Sequence, residues 1–225
     1  HSPVMVFKDA DIDAAAQLCT QGKFRNAGQV CISPTRFFIE ESIHNQFLKA
    51  FKKHVEAVNI GNGLDAGVNM GPLVADRRLD IMEGFVSNAV SEGAELLVGG
   101  ERVQSSGSFY QPTLLANVPD SAQIMTEEPF GPIAPTATFA SLDEVIDRAN
   151  SLPFGLAAYA FTGSPKTAGA LKTEIESGML AINSLHIHSV ETPFGGLKNS
   201  GYGYEGGIEG LEAFLATKYS SEVYT

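Results

Sequence analysis

The chain has few basic residues, few cysteines and no long apolar run, and each shortage argues against a class of protein. Its 225 residues carry 15 lysines and arginines against 26 aspartates and glutamates, a formal net charge of -11. Nucleic acids and anionic membranes bind basic surfaces, so small molecules and other proteins are the expected partners. Two cysteines cannot build a disulfide framework, which indicates a reducing compartment. Because no stretch is apolar enough to span a bilayer and none reads as a signal peptide, we predict a soluble, cytoplasmic protein.

The start of the chain is unusual. His1-Ser2-Pro3 runs directly into the apolar residues 4–7, without an initiator methionine. We therefore expect this sequence to be a piece cut from a longer protein.

The second half of the chain alternates between strand and helix patterns. Strand 135–139, helix 142–150, strand 156–162, helix 166–176 and strand 178–183 follow one another. This alternation predicts βαβ units and the α/β fold class, with an open, mainly parallel twisted sheet and helices on both faces. Further segments are predicted as strands at 3–7, 36–40, 94–98 and 219–224, as an extended segment at 110–118, and as helices beginning at Asp9 or Asp11 and over 43–58, 77–90 and 211–217.

A polar turn at residues 24–36 carries Cys31 between a predicted helix and a predicted strand. In this turn, residues 26–29 (Asn-Ala-Gly-Gln) offer flexible backbone and free N–H groups, which suit stabilisation of an oxyanion on an attacked carbonyl. Cys31 is therefore the candidate nucleophile. The alternative is that its thiol only packs, as we expect for Cys19, which lies among apolar residues inside a helix.

Four motifs in order resemble those of the NAD(P)-dependent aldehyde dehydrogenase superfamily. The first is the Cys31 turn, which is similar to the superfamily's active-site signature. Residues 127–132 (Glu-Glu-Pro-Phe-Gly-Pro) resemble its cofactor-contact motif, and residues 150–157 resemble the helix-to-strand junction that follows. Asn183 with residues 193–201 resembles its C-terminal signature. The resemblance covers nearly the whole chain. Within the superfamily, the sequence is most similar to succinate-semialdehyde and α-ketoglutarate-semialdehyde dehydrogenases.

The resemblance implies a mechanism for the parent protein. The Cys31 thiolate attacks an aldehyde, and its own backbone N–H helps to bind the thiohemiacetal oxyanion. Hydride then passes to the nicotinamide of NAD or NADP, and water hydrolyses the thioester to the acid. Glu128 would hydrogen-bond the nicotinamide ribose, and Phe130 would pack beside the nicotinamide. Taken alone, Glu127-Glu128 is more typical of a capped surface turn, and only the motif match favours the cofactor role.

The substrate class rests on two residues that match carboxylate-binding positions of succinate-semialdehyde dehydrogenases. Arg25 offers a planar fork for a carboxylate at the far end of a short aldehyde, and Ser189 matches their serine. The alternatives are a surface salt bridge for Arg25 and a turn role for Ser189. Two departures limit the match: Ser33 stands where many relatives carry a second cysteine, and Tyr204 stands where many have arginine.

The resemblance divides the chain into a catalytic domain at 1–199 and a C-terminal helix and oligomerisation strand at 200–225. It places the N-terminal cofactor-binding domain, and the glutamate base for thioester hydrolysis, before His1. We therefore expect this chain alone not to oxidise aldehydes at a useful rate, whereas its parent is a homo-oligomeric dehydrogenase. A non-enzymatic assembly module using strand 219–224, and an esterase needing only the thiol and an oxyanion donor, are the alternatives. No metal is expected, because His186 and His188 lack a completing ligand.

Overall fold

A seven-stranded sheet forms the centre of the computed structural model, which describes residues 1–103 and 107–225. Its strands, together with a two-stranded ribbon of β6 and β9, are β1 (Ser2–Val6), β2 (Pro34–Glu40), β3 (Glu95–Val98), β4 (Thr113–Ala116), β5 (Ile133–Phe139), β6 (Phe154–Gly155), β7 (Ala157–Phe161), β8 (Met179–Ile182) and β9 (Leu197–Lys198). The helices are α1 (Ile12–Phe24), α2 (His44–Glu56), α3 (Arg77–Ser91), α4 (Gln123–Thr126), α5 (Leu142–Asn150), α6 (Pro165–Glu174) and α7 (Glu209–Glu212).

The strand order confirms the predicted fold class. It runs β3-β4-β5-β2-β1-β7-β8, and every pair is parallel except β3 with β4. Across the sheet, the connection from β1 to β2 runs toward the β3 edge, whereas the connection from β7 to β8 runs toward the opposite edge. Because crossovers between parallel strands are right-handed, these two directions place α1 and α2 on one face and α5 and α6 on the other. The contacts agree, since α1 packs against α2 and α5 against α6.

The central strands form because both of their faces are buried. All five residues of β1 and the first six of β2 are buried, as expected for parallel strands covered by helices. Helix α1 begins at Asp11, whose carboxylate accepts a hydrogen bond from the Ala14 N–H at 3.1 Å. Of the two predicted N-caps, Asp9 and Asp11, the structure therefore shows Asp11. No helix in the described ranges is long and apolar enough to cross a bilayer.

The C-terminal end differs from the prediction. Residues 219–224, predicted as a strand, form neither strand nor helix, and the helix predicted at 211–217 is a single turn, α7. Tyr219, Val223 and Tyr224 are all more than four-fifths exposed. A strand needs a neighbouring strand to satisfy its backbone, and this segment pairs with none in the described parts of the chain.

The topology brings two of the sequence motifs to the same edge of the sheet. Cys31 lies shortly before β2, and Glu128 and Phe130 lie shortly before β5. Strands β2 and β5 are parallel neighbours, so the segments that enter them lie side by side at the amino ends of the strands. Ligands of open α/β sheets commonly bind at the carboxyl ends of the strands. Here the candidate residues lie at the amino ends instead, because the loops that carry them precede β2 and β5.

Candidate active site

A left-handed turn presents Cys31. After α1 ends at Phe24, residues Asn26, Ala27 and Gly28 follow with φ of 52°, 53° and 72°. This region is unfavourable for residues with a side chain, and each such residue typically costs about 1–3 kcal/mol. The chain therefore needs contacts that hold it in this conformation, and the segment is not the flexible backbone that its composition suggests.

The side chains of Asn26 and Gln29 supply those contacts. The Asn26 amide donates to the Gln29 carbonyl at 3.1 Å, and the Gln29 amide donates back to the Asn26 carbonyl at 3.0 Å. The Gln29 side-chain oxygen also accepts from the Val74 N–H at 2.9 Å. These three hydrogen bonds fix the turn internally and attach it to the segment that leads into α3. Sequence reasoning noted Gln29 only as part of the motif and missed this role.

The thiol of Cys31 is exposed at the end of this turn, whereas Cys19 is buried in α1. Burial raises the pKa of the Cys19 thiol, so that thiol stays protonated and inert. Below Cys31, the buried Tyr159 donates its hydroxyl to the Ile32 carbonyl at 2.6 Å and so anchors the loop to β7. The N–H groups of residues 30–32 donate to no other described residue. A nucleophile and unused backbone donors thus stand together.

The loop that carries Glu128 and Phe130 touches the Cys31 turn directly. A Cβ on Gly28 would lie 2.2 Å from the Gly131 carbonyl oxygen, so only glycine fits there. Phe130 has a φ of 40° and is 38% exposed. The Glu128 carboxylate is partly exposed, and its Oε1 accepts a hydrogen bond from the main-chain nitrogen of His1 at 3.1 Å. The structure therefore places the turn that carries Cys31 against the loop that carries Glu128 and Phe130, although about a hundred residues separate them in the sequence.

A groove of about 720 Å³ lies between the Cys31 turn and Phe130. We call it the Phe130 groove. It is open to solvent and is lined by Asn26, Gln29, Pro72, Leu73, Val74, Arg78 and Phe130.

Arg25 and Ser189 face different neighbours. Arg25 is exposed and lines a cleft of about 400 Å³ between α1 and α2, together with His54. Ser189 lies in the exposed loop after β8, where its N–H donates to Thr192 Oγ1 at 3.0 Å. The Ser189 hydroxyl lies 3.4 Å from the Thr192 hydroxyl. In this conformation the Ser189 hydroxyl is engaged locally.

The loop that carries Ser189 nevertheless starts beside the Cys31 turn. Leu185 packs against α1, since a Cβ on Gly22 would lie 2.3 Å from Leu185 Cδ1. The rings of His186 and His188 lie 5.6 Å apart, and His188 meets Phe194 edge-on at 6.5 Å. Within the described residues no group of three or more His, Cys, Asp and Glu side chains could hold a metal ion.

Sequence reasoning missed two arginines beside this site. Arg36 is buried in β2, and its guanidinium donates to the carbonyls of His1, Arg148 and Ala149 at 3.2, 2.9 and 2.8 Å. Burial lowers the pKa of Arg36 to about 10. Arg78, in the first turn of α3, donates to the carbonyls of Pro129 and Phe130. Neither role has a local sequence signal, because each partner is distant along the chain.

Comparisons with known proteins agree with these motifs. A model of the aldehyde dehydrogenase family matches residues 1–220. The chain is 46% identical over 219 residues to a putative 4-(hydroxymethyl)benzenesulfonate dehydrogenase of Comamonas testosteroni, covering 97% of this chain and 46% of that protein. It is 39% identical to the mitochondrial succinate-semialdehyde dehydrogenase of Rattus norvegicus, covering 97% of this chain and 42% of that protein.

Solved structures give the same result. The crystal structure of an aldehyde dehydrogenase from Brucella melitensis biovar abortus 2308 superposes with a TM-score of 0.96 at 37% identity, over 100% of this chain and 46% of that one. The chain thus spans about half the length of the relatives it matches. Nearly complete coverage by the family model, together with identities well above 30%, leads to one conclusion: the chain belongs to the aldehyde dehydrogenase family.

Proposed function

We propose that this chain is the catalytic half of an NAD(P)-dependent dehydrogenase that oxidises a short aldehyde bearing a carboxylate, with Cys31 as the nucleophile. The observation that carries the proposal is the contact between Gly28 and Gly131. It joins the turn that carries the exposed Cys31 thiol to the loop that carries the carboxylate of Glu128 and the partly exposed Phe130.

The residues around the Phe130 groove fit a nicotinamide dinucleotide. A carboxylate such as Glu128 accepts hydrogen bonds from ribose hydroxyls, and the exposed ring of Phe130 offers an apolar face to a planar heterocycle. The close approach of Gly28 to Gly131 leaves no side chain between the two loops. When bound, the cofactor would supply the hydride acceptor. The choice between NAD and NADP lies with residues outside those that line this groove.

The chain's own residues would perform the covalent steps. The Cys31 thiolate attacks the aldehyde carbon to form a thiohemiacetal, whose oxyanion the Cys31 N–H stabilises. Because Asn26, Gln29 and Tyr159 hold the loop, the sulfur and this donor keep a fixed relation. After oxidation, water cleaves the thioester and releases the acid. We propose that this chain alone does not turn over, since the cofactor must also be held by a domain that these residues do not form.

For the substrate, the proposal rests on Arg25. Its guanidinium is exposed at the start of the Cys31 turn and forms no ion pair with another described residue. A free planar fork suits a carboxylate at the far end of a semialdehyde, with the Ser189 hydroxyl, released from Thr192, as a second contact. Succinate semialdehyde and α-ketoglutarate semialdehyde are the proposed substrates.

A second candidate is a sulfonated aromatic aldehyde. Two relatives at 46% identity are named for 4-(hydroxymethyl)benzenesulfonate, and a sulfonate presents a similar set of acceptor oxygens to Arg25.

We further propose that residues 1–199 form the catalytic domain of a cytoplasmic homo-oligomer. Residues 200–225, whose apolar side chains are exposed here, would then pair with another subunit. A non-enzymatic assembly module with weak esterase activity remains the alternative.

The test joins this chain to the cofactor domain of a relative and follows NADH or NADPH formation. The aldehydes are succinate semialdehyde, α-ketoglutarate semialdehyde, 4-sulfobenzaldehyde and, as an uncharged control, benzaldehyde. Cys31→Ser should abolish turnover of all four, whereas Cys19→Ser, which alters only the buried thiol, should not. Turnover in Cys31→Ser would contradict the assignment of the nucleophile.

The same assay tests the substrate class. Loss of one charge-assisted contact predicts that Arg25→Ala lowers kcat/KM for the anionic aldehydes by about tenfold or more, with benzaldehyde little changed. Arg77→Ala, which removes an exposed arginine elsewhere, is the matched control. Equal use of benzaldehyde, unaffected by Arg25→Ala, would refute the carboxylate assignment and leave a general aldehyde dehydrogenase. Preference for 4-sulfobenzaldehyde would favour the second candidate.

A further inference from the structure

Arg78 connects α3 to the loop that holds Phe130. One terminal nitrogen of its guanidinium donates to the Pro129 carbonyl and, at 3.3 Å, to the Phe130 carbonyl. One turn further along the same helix, Met82 fills the space beside Gly131, because a Cβ on Gly131 would lie 2.0 Å from Met82 Sδ. Three successive residues of the loop are therefore held by one face of α3.

The charge of Arg78 is directed at these carbonyls. Among the described residues Arg102 and Arg148 pair with carboxylates, whereas Arg78 forms no ion pair. Burial, with the neighbouring charge of Arg77 as a smaller cause, lowers the pKa of Arg78. An arginine stays protonated in proteins, so the hydrogen bonds to Pro129 and Phe130 are charge-assisted, and such bonds are among the stronger ones.

The loop needs such support because Phe130 is strained. Its φ of 40° lies in the left-handed region, where an aromatic residue is rarely found. A relaxed backbone at this position would turn the ring to a different direction. Since Arg78 and Phe130 both line the Phe130 groove, movement of the ring would change the shape of that groove.

We propose that Arg78 is a positioning residue that holds the Phe130 ring in the orientation required for binding the nicotinamide cofactor. The inference rests on the proposed function, because the cofactor is what Phe130 would contact. It assigns Arg78 no contact with substrate or cofactor. Its effect passes through the backbone carbonyls of Pro129 and Phe130.

The test measures the dissociation constant of NADH or NADPH by its fluorescence, in this chain joined to the cofactor domain. Loss of the charge-assisted hydrogen bonds to Pro129 and Phe130 predicts about tenfold weaker binding or more in Arg78→Ala. Arg78→Lys should restore part of the affinity, since an ammonium can still donate but lacks the fork. Arg77→Ala, the neighbouring exposed arginine, should bind as the wild type does.

A double-mutant cycle separates positioning from direct contact. If Arg78 acts through the ring, Arg78→Ala should add little once Phe130 is alanine. Additive losses in the double variant would overturn the proposal, as would wild-type affinity in Arg78→Ala or an equal loss in Arg77→Ala.

The alkylation rate of Cys31 provides a check that needs no cofactor. This rate should change less than about twofold in Arg78→Ala, because the Cys31 turn keeps its own hydrogen bonds. If the wild-type protein binds neither cofactor, it is the proposed function that fails.

Discussion

Replacing Lys23 with methionine should stabilise the chain at neutral pH and remove part of the pH dependence of its stability. Lys23 lies in the last turn of α1 with its side chain fully buried, and its ammonium nitrogen has no hydrogen-bond partner among the described residues. A buried, unpaired charge is costly. Burial accordingly lowers the pKa of Lys23 from 10.5 to about 7.

The direction of the effect follows from proton binding. Between pH 7 and pH 10.5 the unfolded chain carries the proton on Lys23 and the folded chain does not, so the free energy of unfolding rises with pH in this interval. Each unit of pKa difference corresponds to about 1.4 kcal/mol, which gives roughly 5 kcal/mol over the whole interval. Below pH 7 both states are protonated, and this contribution stays at its least favourable value.

Lys23→Met keeps the length of the side chain and removes the titrating group. We expect the variant to be more stable than the wild type by about 4 kcal/mol at pH 7, and this advantage to shrink by roughly 3 kcal/mol between pH 7 and pH 10. Urea unfolding of the 225-residue chain at several pH values measures both quantities. Lys49→Met, at an exposed position of α2, is the control and should change stability little. A difference between Lys23→Met and the wild type that is independent of pH would refute the reasoning.

Two further predictions concern the packing beside the candidate site. Gly28→Ala should lower the free energy of unfolding by more than about 2 kcal/mol, since it adds a Cβ 2.2 Å from a carbonyl oxygen at a φ of 72°. The matched change Gly84→Ala, at an unobstructed position of α3, should instead stabilise by about 0.5–1 kcal/mol, and equal effects in urea unfolding would contradict this reading. Arg36→Lys should cost about 2–4 kcal/mol, because a lysine cannot reproduce the three hydrogen bonds of the buried guanidinium. Arg77→Lys, at an exposed position, should change the free energy of unfolding by less than about 1 kcal/mol in the same urea assay. An equally small change in Arg36→Lys would contradict this reading.

The regular elements were largely predictable, because their side-chain patterns are local. Helix α5 was predicted with its observed bounds, and strands β7 and β8 were predicted to within a residue at each end. Alternation of these elements also gave the parallel sheet. The Cys31 turn was located correctly for the same reason, since its motif is contiguous.

What the sequence did not reveal depends on contacts between distant residues. The left-handed backbone of Asn26 and Ala27 is held by Gln29 and by Val74, some forty residues away. Arg78 reaches the Phe130 loop across about fifty residues. Segment 219–224 has the composition of a strand, but a strand forms only where another strand is available. Periodicity describes one element at a time and carries no information on such partners.

The covalent intermediate on Cys31 tests the central claim most directly. The wild-type chain, joined to a relative's cofactor domain, is mixed with succinate semialdehyde and NAD or NADP, quenched in acid within the first turnover and digested for peptide mass spectrometry. The account predicts an acyl adduct on the peptide that contains Cys31, none on the peptide that contains Cys19, and none when the cofactor is omitted. Aldehyde oxidation that proceeds with an acyl group on another residue, or with no acyl group on Cys31, would contradict it.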